Sequence, residues 1–169
     1  MADIEFLERL TKWRNSAQLI LFSLLRLVSN KKSKIRDDDK HSAIFQLLVG
    51  TAFSLWRAVF LADRPFAFPE AAEAAQAFLE KVVSDNAIGY MDEKKSGPWT
   101  AGFYESHIQY RLYHLHKMYG KDLRVAELDD FVAKWDPFKN PPVQIKDEIF
   151  ESTIQCLQKL TARLGELLG

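Results

Sequence analysis

Cysteine occurs once in the 169 residues, at Cys156, so an intrachain disulfide and any zinc site built on two thiolates are excluded. Glycine and proline are sparse, 7 and 6 residues, together roughly 8% against a usual background of about 12%. All-β architectures, which spend these residues on many turns, are disfavoured. Neither sign of charge dominates: 23 Lys and Arg balance 23 Asp and Glu, which leaves no global field to hold a nucleic-acid backbone or an anionic membrane. The start, Met1-Ala2-Asp3-Ile4-Glu5, lacks the basic residues and apolar run of a secretion signal. With the lone thiol, that makes a cytoplasmic location the expectation.

What is present suits one globular domain over residues 1–169: 47% hydrophobic and 27% charged residues suffice for a sizeable core. Prolines stand only at 65, 69, 98, 137, 141 and 142, which leaves long stretches where helices run unbroken. After Asp3 as a possible N-cap, Phe6, Leu10, Trp13, Ala17, Ile20, Leu24 and Leu27 recur at alternating spacings of four and three, predicting a first helix over about 4–29. The run from Asn30 to Lys40 is too charged for a core and reads as a solvated loop.

Residues 42–62 are apolar almost all round and predict a central second helix, with Phe53 and Trp56 buried. A membrane-spanning reading has the length but places Arg57 inside the span, at a cost of at least ~2.5 kcal/mol near the bilayer centre. Gln46, Gly50, Ser54 and Arg57 share an arc of about 80°, a strip where another helix can approach closely or water can reach. A turn over Arg64–Pro69, an Ala-rich helix over 70–84 and a long connection over 85–99 follow. A further helix should run from a Thr100 cap to Tyr119 and stop at Gly120. A short helix is expected between Leu123 and Trp135, and a last one behind Asn140-Pro141 carries Phe150, Ile154, Leu157, Leu160, Leu164 and Leu167. The fold class is therefore an all-α, single-domain bundle of five to six helices around helix 2.

The helix after Thr100 carries three of the four histidines. Tyr104, Ile108, Leu112, Leu115 and Tyr119 lie within about 40° of one line and form its core stripe. Phe103, His107, Tyr110 and His114 fall on a second face. Burial under another helix, a homodimer or partner surface, and a small-ligand pocket are three readings of that face. Arg57, framed by Trp56 and Phe60, either snorkels or pairs with a carboxylate, or anchors an acidic group in a pocket.

No metal and no cofactor is expected. His107 and His114 are seven residues apart, about 10.5 Å along the axis, whereas two ligands on one helix sit three or four apart. Paired Glu-x-x-His motifs, a calcium loop, a nucleophile elbow and phosphate-loop fingerprints are missing.

Arg111-Leu-Tyr-His-Leu-His116 resembles the Arg-x4-6-His motif of the HEPN family, all-α domains many of which are dimeric RNases of toxin–antitoxin and defence systems. The resemblance covers six residues and the all-α pattern. It implies Arg111 as a phosphate-stabilising cation and His116 as a general acid/base, paired across a dimer. Leu112 stands where the family often has a polar residue, and in a regular helix Arg111 and His116 diverge by about 140°. Arg36 and His41 match the same spacing. The reading adopted is a non-enzymatic interaction or ligand-binding bundle that self-associates or meets a protein partner, with the HEPN-like RNase as the alternative.

Overall fold

A computed structural model describes residues 4–31, 34–35, 37–62, 101–139 and 147–169; within the helices, the side chains of residues 57, 60–62, 101–107 and 147 lie outside the description. Among the described residues there are five helices and no strand. They are α1 (Ile4–Asn30), α2 (Asp39–Ala62), α3 (Ala101–Leu123), α4 (Ala126–Trp135) and α5 (Asp147–Leu168). The chain is an all-α bundle. The expectations for Arg64–Pro69, for the 70–84 helix and for 85–99 fall outside the described residues, as do the Thr100 and Asn140 caps.

Helix α2 packs against α1, α3 and α5, which makes it the centre of the bundle. Its sequence requires this position, since apolar residues ring it and a single partner would leave half of them wet. Phe45, Leu48, Leu55, Phe53 and Trp56 are all buried. Helix α1 turns its Leu10, Trp13, Ala17, Ile20 and Leu24 seam inward. Trp13 packs on Phe150 with ring centroids 5.1 Å apart, and its indole Nε1–H donates to Glu151 Oε1 at 2.8 Å, tying α1 to α5. The shorter α4 packs against α3 and α5. No described helix is long and apolar enough to cross a membrane.

Three local expectations are corrected. The charged run after α1 is not simply solvated, because Ile35 is fully buried. Lys31 and Lys34 reach from it to the C-terminal end of α5, donating to the Gly169 and Leu168 oxygens at 2.9 and 2.8 Å. Ammonium groups there meet carbonyls that have no partner within their own helix, and they oppose the helix dipole. Asp38 then caps α2: its Oδ1 accepts from the His41 backbone N–H at 2.9 Å, which holds the carboxyl below its ordinary pKa. That cap starts α2 at Asp39 rather than Ser42.

Helix α3 does not stop at Gly120. It continues to Leu123, and the chain turns at Arg124, whose φ of 54° is left-handed. Burial decides this, because Leu123 and Val125 are both in the core and one further turn is needed to deliver them. Arg163 of α5 donates from Nε to the Leu123 carbonyl at 2.8 Å, covering the helix end that a glycine motif would otherwise close.

Candidate functional site

The expected core stripe of α3 is present: Ile108, Leu112 and Leu115 are fully buried and Tyr119 packs against the core. Of the second face, Tyr110 is 46% exposed and His114 is exposed as well. Among the described residues, no other helix covers either side chain. The side chains of Phe103, His107 and Arg57 lie outside the described residues.

Tyr110 does not stand alone. Phe138 lies against it and against Tyr113, with centroids 5.9 and 5.1 Å apart and interplanar angles of 84° and 65°. Edge-to-face contacts of this kind are favoured by the ring quadrupoles. Phe138 nevertheless remains 70% exposed.

The turn that presents Phe138 is built from α4 upward. Gln109, buried on α3, donates from Nε2 to the Trp135 carbonyl at 3.0 Å and fixes the end of α4. Asp136 follows, and its Oδ1 accepts from the backbone N–H of Phe138 at 2.8 Å and of Lys139 at 3.3 Å, an Asx-type turn. Pro137 is buried beneath it. The side chain of Phe138 is thereby returned to α3, across Tyr110 and Tyr113.

The same face of α3 continues past the rings. His114, Lys117 and Lys121 are exposed and lie within about 40° of Tyr110 around the helix. No carboxylate of α3 between Tyr110 and Lys121 shares this face. Lys139, next to Phe138, is exposed too.

Arg111 and His116 are turned to different neighbours. Arg111 is 93% buried; its Nη1 donates to the Gly50 carbonyl at 3.2 Å and to Ser54 Oγ. The strip of small residues on α2 thus receives this guanidinium. His116 lies at the surface and donates from Nε2 to Asp129 Oδ1 at 2.9 Å, joining α3 to α4. Within one chain the two side chains do not converge on a common space.

Sequence reasoning missed Tyr113, Phe138 and the lysines of this face. The signal for Phe138 was weak: one aromatic beside a proline at the end of a short helix. The signal for the lysines was present, because Lys117 and Lys121 stand one and two turns beyond Tyr113 in a stretch without acid.

Cys156 is fully buried, and desolvation pushes its thiol up to about 12, so no thiolate forms at neutral pH. Among the described residues no group of three or more His, Cys, Asp or Glu side chains is placed to hold a metal ion. A shallow depression of about 440 Å³ between the α2 start and the α5 end is lined by Lys34, Asp37, Asp38, His41, Leu167 and Leu168. Lys34 and Asp38 there already serve the helix ends described above. No protein family, curated protein or solved structure matches this chain.

Proposed function

We propose that this chain is a non-enzymatic interaction module that offers the aromatic cluster of Tyr110, Tyr113 and Phe138 to a protein partner, in the simplest case a second copy of itself. One observation carries the reading: a phenylalanine 70% exposed to solvent is fixed by a turn and by two tyrosines rather than left free. Rigid aromatic area is the kind that interfaces use, since it buries much surface while little side-chain freedom is lost. The HEPN-like alternative finds less support. Arg111 serves the α2–α3 contact, and a phosphate at His116 would lie outside the reach of that guanidinium.

Sedimentation of the protein into the high micromolar range, with and without Phe138→Ser and Tyr110→Ser, tests the simplest case. Association that rises with concentration and weakens in both variants would identify the second copy as the partner. A monomer at every concentration would remove the second copy as partner. RNA cleavage that survives repurification and disappears in His116→Ala would remove the non-enzymatic reading.

A further inference from the structure

The aromatic cluster is continuous with a basic strip, and the combination says more about the partner than the rings alone. Along α3, Lys117 lies one turn beyond Tyr113 and Lys121 a further turn on, so the strip extends about 16 Å from Tyr110 at the usual helical rise. Lys139, the residue after Phe138, is exposed as well. Among the described residues, the two acids adjoining this strip in sequence are engaged elsewhere: Asp136 accepts backbone N–H groups in the turn, and Asp122 accepts from Lys40 at 3.0 Å. A chain of zero net charge thus concentrates one sign of charge next to its exposed aromatic rings.

We infer that this face takes an acidic segment of another protein that carries an apolar anchor: the anchor seats on Tyr110, Tyr113 and Phe138, and carboxylates lie along Lys117 and Lys121. This rests on the reading of the aromatic cluster as a contact surface. Charge complementarity selects the occupant. Two copies pairing symmetrically over the same face would bring their lysines together, which costs affinity unless the strips are offset. Single-stranded nucleic acid fits less well, because the few lysines stand without a wider positive field and each tyrosine already meets Phe138 edge-to-face. An extended segment of about five or six residues spans the strip at about 3.3 Å per residue.

Fluorescence anisotropy tests this with three labelled peptides added to the whole protein. The first is Leu-Trp-Gly-Glu-Asp-Glu-Asp-Glu, capped at both ends. The second replaces its acids by Gln and Asn, and the third replaces Leu-Trp by Gly-Ser. We expect the first to bind most tightly and the other two at least about tenfold more weakly, with a similar loss in the Lys117→Glu, Lys121→Glu double variant. Phe138→Ser should weaken the first and second peptides alike. Because Lys117 and Lys121 are exposed, their double variant should melt like the parent, while Phe138→Ser loses two ring contacts and should melt slightly lower; circular dichroism confirms that both fold.

Equal binding of the first two peptides would overturn the acidic partner while leaving the aromatic contact surface intact. No binding of any peptide to the folded monomer would overturn both. Tighter binding of an oligo-dT of similar length would overturn the inference in favour of nucleic acid. A dimer that excludes the peptides, and that is broken by Phe138→Ser, would assign the face to a second copy instead.

Discussion

A Cβ added at Gly50 would lie 2.9 Å from Nε of Arg111, closer than real Cβ atoms approach other heavy atoms. Arg111 therefore needs glycine at this point on α2, and its guanidinium meets the Gly50 carbonyl and the Ser54 hydroxyl there. In an exposed helix, Gly→Ala gains about 1 kcal/mol of helix propensity. Here the added methyl must displace a buried side chain, so Gly50→Ala should lose about 1 kcal/mol or more. Arg111→Ala should lose roughly 2–4 kcal/mol, through lost packing and an orphaned Ser54 hydroxyl. Urea unfolding checks both. A stability unchanged by Arg111→Ala would show that this arginine does not hold α2 to α3, and would return it to a functional role.

Trp56 is 1% exposed at the centre of the helix that contacts α1, α3 and α5. Trp56→Ala should cost about 3–5 kcal/mol, a change that lowers the midpoint of thermal unfolding by many degrees. A loss below about 1 kcal/mol would be inconsistent with a central α2.

Asp38 gives a pH dependence whose sign is fixed. Its folded pKa lies below the ordinary value of 3.8, chiefly because the His41 backbone N–H donates to the carboxylate. The stabilisation is therefore present above that value and is lost as pH falls through the lower, folded one. Melting curves between neutral pH and strongly acidic solution should show a smaller acid-induced drop in Asp38→Asn, since asparagine keeps the cap but carries no titrating carboxyl. An identical drop in both proteins would show that the cap contributes nothing to acid sensitivity.

Cys156 should resist alkylation by iodoacetamide at neutral pH and slightly above it, because burial raises its pKa to about 12. Mass spectrometry should find the native protein unmodified and the urea-unfolded protein fully modified. Rapid modification of the native protein would mean that α5 opens far more readily than its packing implies.

Much of the fold was legible because it depends on periodicity. The alternating three and four spacing of α1 points Trp13 and Leu24 inward, and the all-round apolar character of α2 has only one comfortable location, between other helices. The strip Gly50–Ser54 left open a close helix approach or access of water, and nothing in α2 states that a guanidinium fills it. Ile35 was hidden because one apolar residue among lysines and aspartates has no period to betray it. Gly120 misled because glycine is permitted at a helix end without being required there. The end of α3 was set instead by the need to bury Leu123 and Val125, and by Arg163 from a helix forty residues on.

The surface is harder to read for the same reason. Tyr110 was visible on its helix face, but the partner that makes it a cluster, Phe138, arrives through tertiary structure. Gln109, Asp136 and Pro137 together place that ring, and none of them signals its role in isolation.

Residue-resolved NMR of the labelled chain, titrated with the anchored acidic peptide, tests the contact surface most directly. The amide shifts that move should be those of Tyr110, Tyr113, His114, Lys117, Lys121, Phe138 and Lys139, with the α1 face around Leu19 and Phe22 unmoved although both side chains are exposed. Perturbations centred on Leu19 and Phe22, or spread evenly over the bundle, would contradict the assignment of this face.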